Sequence, residues 1–147
     1  MTDSIRKRFE LTGKVAVVTG ASKGIGASIA AGFAEFGARV VVSSRKLEAV
    51  DAVAEKLRSS GCDAIAIAAN TGNKDDIGAL VSGAVEHFGG IDILVNNAAT
   101  NPVYGSIESS DDRAFDKIVD VNLKGPFELC KRVHPIMRER VADRSSI

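Results

Sequence analysis

With 147 residues, and with 19 basic side chains cancelled by 19 acidic ones, the chain is the size of one domain and carries no net charge to draw it to nucleic acid or an anionic membrane. Hydrophobic residues make up 45% of it, enough for a packed core, yet no apolar run approaches the roughly 18 residues that span a bilayer. The opening MTDSIRKRFELTGK has no apolar segment ahead of a cleavage site, so the expectation is a soluble, cytoplasmic protein whose partner is a small molecule or another protein.

Taken in order, KVAVVTG is an apolar run ending at Gly20 and reads as a strand buried on both faces. Ile25, Ile29, Phe33 and Phe36 then recur at helical spacing, and Gly37 supplies the stop. RVVVSS is a second strand, LEAVDAVAEKLRSSG a second helix closed by Gly61, and DAIAIAA a third strand. KDDIGALVSGAVEHFGG follows as a helix with acids in its first turn, and IDILVNN as a fourth strand. After the loop AATNPVYGSIESS, a long helical stretch is predicted from about Asp111 to Arg140, interrupted near Gly125 and Pro126. Strands alternating with helices of this length are joined by right-handed parallel crossovers, which makes the architecture α/β, a doubly wound parallel sheet. No linker or repeat divides the chain. Cys62 and Cys130 form no CxxC pair, and His87 and His134 lack a second ligand one helical turn away, so reduced thiols, packing roles for the histidines and no metal site are expected.

The turn between the first strand and first helix is TGASKGIG. Gly20, Gly24 and Gly26 let the backbone turn sharply and approach a pyrophosphate. Ser22, Lys23 and Ile25 complete a loop that opens a helix with unpaired N–H groups. This is the pattern of a Rossmann-like dinucleotide site; a merely steric glycine turn is the alternative. About twenty residues on, an NAD site places an acid for the ribose hydroxyls, and an NADP site a cation for the 2′-phosphate. No acid occurs between Glu35 and Glu48. Ser43, Ser44, Arg45 and Lys46 end the second strand instead, and Lys23 sits in the glycine loop, which favours NADP over NAD.

TGASKGIG, NNAA and DVNLKG in this order resemble the short-chain dehydrogenase/reductase family over about Leu11 to Arg140. The resemblance implies that Gly20, Gly24 and Gly26 meet the pyrophosphate. Asn97, Ala98 and Ala99, with Asn96, would lie beside the riboses, Ala99 standing where the family has Gly. It places Asn70 and Thr71 at the adenine, Asn70 replacing a usual acid. Asn122 matches the Asn that holds a water in a proton relay, though on its own it reads as an ordinary helix residue.

The resemblance further implies hydride transfer between a nicotinamide and a carbonyl or alcohol, with a catalytic Ser, Tyr and Lys, in homo-oligomers. The one tyrosine here, Tyr104, precedes the long helix and is followed four residues later by Glu108 in place of Lys. The expectation is one incomplete NAD(P)-binding domain over residues 1–147, family-like over 11–140 and truncated after the fourth strand and long helix, that does not turn over. The alternative is a non-catalytic cofactor-binding or regulatory subunit pairing with a full-length relative. The last residues, VADRSSI (141–147), break the family pattern; shifting one back-translation of them by a base restores a glycine turn and a strand. A frameshift near Arg140 is therefore expected, with natural truncation or trimming as alternatives. Loss of a neighbouring strand would leave the fourth strand as an apolar edge and expose Phe115, Val119, Leu123 and Phe127 along the helix.

Overall fold

The computed structural model describes residues 4–145, leaving Met1–Asp3 of the opening stretch and Ser146 and Ile147 of the closing one outside the described residues. A short helix, α1 (Ile5–Arg8), precedes β1 (Val15–Thr19), α2 (Gly24–Glu35), β2 (Arg39–Ser44), α3 (Leu47–Ser59), β3 (Ala64–Ala68), α4 (Lys74–Phe88) and β4 (Ile93–Val95). These strands form one parallel sheet in the order β3-β2-β1-β4. The doubly wound α/β reading is therefore correct. A 3-10 turn (Ile107–Ser109), α5 (Asp112–Val119), a π turn (Asp120–Lys124) and α6 (Gly125–Ser145) complete the described chain.

Strand periodicity explains the two cores. In β1, Val15 and Val17 face Ile77, Leu80, Leu129 and Val133 of α4 and α6, whereas Ala16 and Val18 face Ala30, Ala34, Val50 and Ala54 of α2 and α3. Every residue of β1 is buried, and each valine removed from water contributes about 1.5–3 kcal/mol. The α2 helix meets the sheet through Gly26, Ala30 and Ala34; Ile29 and Phe33 pack half-buried against the same core, while Ile25 in its first turn and Phe36 just past its end are exposed. Small residues on that face let the helix axis approach the sheet.

Three element bounds differ from the sequence reading. The fourth strand spans Ile93–Val95, shorter than IDILVNN, because Asp92 turns its carboxylate to the Val15 N–H at 2.8 Å while Asn97 leaves the ladder to bind the end of β1. The interruption of the long helix falls one turn ahead of Gly125 and Pro126, in the π turn. Gly125 stays helical there and packs on Thr71, where a side chain would collide with the Thr71 carbonyl oxygen. The helix also runs past Arg140 to Ser145, so Val141–Ser145 continue α6. Phe115, Leu123 and Phe127 are exposed, and Val119 is half-buried.

Candidate functional site

The carboxyl ends of β1, β2, β3 and β4 open into a cavity of about 1100 Å³. Its floor is the turn after β1. Gly20 and Gly24 hold φ of +64° and +59°, a region that favours glycine. A Cβ on Gly20 would come within 2.9 Å of Ala98 Cα, so the loop lies directly against the strand beside it. Lys23, the residue before α2, is extended and its side chain caps nothing. The first N–H groups of α2 are therefore open to an anion, with the positive end of the helix dipole behind them.

The end of β4 locks this turn in place. Asn97 Nδ2 donates to the carbonyls of Thr19 and Gly20, both at 3.1 Å. Thr19 Oγ1 donates to the Val95 carbonyl and accepts from the N–H groups of Asn97 and Ala98. Three strand ends are thereby tied together, since Ala21 N also donates to the Ser43 carbonyl of β2.

Of the residues predicted for the site, Gly20, Ser22, Lys23, Gly24, Ile25, Ser44, Arg45, Asn70, Thr71, Asn97, Ala98 and Ala99 line the cavity together. Gly26 lies beneath it, where a Cβ would meet the Gly20 carbonyl oxygen and, at 2.5 Å, Asn97 Nδ2. Asn122 also stands outside the lining. Its Oδ1 accepts from Thr100 N at 2.8 Å and its Nδ2 donates to Thr100 O at 2.9 Å, so the whole amide clamps the loop after β4 onto the π turn. Tyr104 is 89% exposed and lines none of the cavity. His87 rests edge-on against Phe88, with ring centroids 4.6 Å apart.

One wall escaped the sequence reading. Arg113, Asp116, Lys117, Asp120 and Val121 line the cavity from α5 and the π turn. Their only signal is helical spacing, Arg113 to Lys117 and Asp116 to Asp120, which reads equally well as a solvated face. Lys124 binds Asp120 at 2.8 Å, and this hydrogen bond, with the carboxylate charge, raises the lysine pKa.

Chemically, the residues present fit a dinucleotide phosphate. The close-packed turn and uncapped helix suit a pyrophosphate, and the end of β2 offers Ser44, Arg45 and Lys46 with no carboxylate before Glu48. The family model for short chain dehydrogenase matches residues 14–144. The human protein "Dehydrogenase/reductase SDR family member 4" is 42% identical over 139 residues, which are 95% of this chain and 50% of that protein. Human "Dehydrogenase/reductase SDR family member 2, mitochondrial" is 41% identical over 92% of this chain and 49% of its own length. The chain spans about half the length of the curated relatives it matches. Among solved structures, a metagenomic short-chain oxidoreductase in complex with NADP superposes with a TM-score of 0.82 at 38% identity, over 86% of this chain and 57% of that one. L-Sorbose reductase from Gluconobacter frateurii, complexed with NADPH and L-sorbose, gives 0.85 at 33% identity, over 90% of this chain and 50% of that one.

Proposed function

Since the chain belongs to the short-chain dehydrogenase family, we propose that its cavity is the NADP(H) site of an oxidoreductase acting on the carbonyl or alcohol of a small molecule. The observation that carries this reading is the grouping of Lys23, Arg45 and Lys46 around a glycine turn and an open helix end. Gly20, Ser22, Gly24, Ile25 and Gly26 form the pyrophosphate cradle. Arg45 grips the 2′-phosphate through its forked guanidinium, Ser44 donates a hydroxyl, and Lys23 adds a point charge. Asn70 and Thr71 border the adenine, and Asn97, Ala98 and Ala99 the nicotinamide ribose. The bound dinucleotide supplies or accepts the hydride. Asn122, both ends of its amide held by Thr100, positions the loop after β4 and is the residue assigned to a proton-relay water.

Hydride transfer to a carbonyl also needs a proton donor at the substrate oxygen. Tyr104 is off the cavity and does not serve as that donor. The exposed Phe115, Leu123 and Phe127 favour a second reading, a non-catalytic subunit that pairs with a full-length relative; a monodisperse monomer in sedimentation would remove it. Cytoplasmic residence and a homo-oligomeric parent belong to the same proposal.

Calorimetric titration tests the main reading. NADPH is expected to bind about tenfold or more tightly than NADH, and Arg45→Ala to erase most of that gap. Equal affinities for the two forms would refute the phosphate assignment.

A further inference from the structure

One wall of the cavity takes no part in the assignments above, and what it adds rests on that dinucleotide reading. Lys46 and Ala49 enter the cavity from the end of β2 and from α3, which packs on one face of the sheet. Arg113, Lys117 and Val121 enter from α5 and the π turn, which run into α6 on the other face. The two walls face each other near the ends of β2 and β3: a Cβ on Gly72, just past β3, would lie 3.1 Å from Val121 Cγ2. Arg113, Lys117 and Val121 follow at four-residue spacing and share one side of their helix. Val121 seats that side beside the loop after β3, and the two cations stand one and two turns further from the sheet.

The charges on this wall are unevenly matched. Asp120 is bound by Lys124 at 2.8 Å, and the charge of Asp116 acts on the same lysine, which lies outside the cavity lining. Both acids of the wall are thereby drawn to a cation behind it. Among the described residues no carboxylate pairs with Lys117, and Arg113 comes only within 3.9 Å of Asp111, its own side chain 95% exposed. Like charges four residues apart on a helix repel each other and weaken it, so Arg113 and Lys117 together are tolerated at a cost that an anion between the walls would relieve.

Across from them stand Arg45 and Lys46, with no acid before Glu48. From this we infer that Arg113 and Lys117 close on the phosphate-bearing ribose from the wall opposite Arg45, which makes α5 a second determinant of the preference for the phosphorylated dinucleotide. Arg113 supplies a forked guanidinium and Lys117 a point charge, and both sit at the solvent edge of the cavity, where they act on a ligand that has already met the glycine turn.

Calorimetric titration of the full chain with adenosine 2′,5′-bisphosphate and with 5′-AMP isolates this half of the site, since neither ligand carries a nicotinamide and they differ by the 2′-phosphate alone. The double variant Arg113→Ala, Lys117→Ala should bind the bisphosphate about fivefold or more weakly while 5′-AMP stays within about twofold of its wild-type affinity. Lys56→Ala removes a cation of α3 outside the cavity lining and should change neither, which separates contact with the phosphate from loss of overall charge. If the double variant does not fold, Lys117→Gln alone should cost about twofold or more, again for the bisphosphate only. Unchanged bisphosphate affinity in a folded variant, equal weakening of both ligands, or an equal effect of Lys56→Ala would overturn the inference while the role of Arg45 stands. Failure of the wild-type chain to bind the bisphosphate would remove the dinucleotide reading and this inference together.

Discussion

Asn97 shows how a residue visible in the sequence acquires a role that the sequence does not display. NNAA marks a strand end, but only the fold places Nδ2 of Asn97 against two carbonyls of the glycine turn. Asn97→Ala is expected to cost about 1–2 kcal/mol, seen as a lower melting temperature, and to loosen dinucleotide binding because the turn loses its brace. Gly26→Ala should act more severely. Its Cβ would collide with the Gly20 carbonyl and Asn97 Nδ2, so destabilisation of about 2 kcal/mol or more should come with loss of NADPH binding in titration. The glycines and cations of this site were legible because their chemistry is local to one turn and one strand end. Arg113, Lys117 and Val121 were not, because their approach depends on helices placed by distant contacts.

The long helical stretch illustrates the same limit one level up. Apolar spacing indicates a helix from Asp111, and Asp111 indeed caps it through Ala114 N at 2.8 Å. What spacing does not disclose is the π turn, which lets Asn122 reach Thr100 and Gly125 reach Thr71. Two ion pairs then hold α6. Arg140 Nη2 meets Asp92 Oδ2 at 2.9 Å, with side chains 23% and 8% exposed, at the end of the sheet opposite the cavity. Arg140→Ala should destabilise by about 3 kcal/mol in denaturant unfolding, since Asp92 remains buried. Glu128 meets Arg132 at 2.7 Å, and that hydrogen bond lowers the Glu128 pKa despite opposing desolvation. A lowered folded-state value means the pair stabilises fully above the ordinary carboxylate value of 4.5 and loses its effect as the pH falls below it. Melting temperatures at about pH 7 and about pH 3.5 should therefore diverge less in Glu128→Gln than in the wild type; an equal divergence would dismiss the pair as a source of acid sensitivity.

At the scale of the molecule, a doubly wound parallel sheet puts every strand-to-helix turn at one edge, so residues far apart in sequence converge on a single cavity. That convergence was legible from the alternation of strands and helices alone, and family membership agrees with it. The apolar stripe of Phe115, Leu123 and Phe127 shows that the described fold leaves one face of its helical layer in solvent. The central claim is that the open end of α2 and the cations at the end of β2 hold a dinucleotide phosphate. It is tested most directly by backbone amide chemical shifts during titration with NADPH and then with NADH. The account predicts large NADPH-induced shifts at Gly20, Gly24, Ile25 and Gly26, with Ser44, Arg45 and Lys46 responding to NADPH and much less to NADH. Shifts confined to other surfaces, or identical responses at Arg45 to both nucleotides, would contradict it.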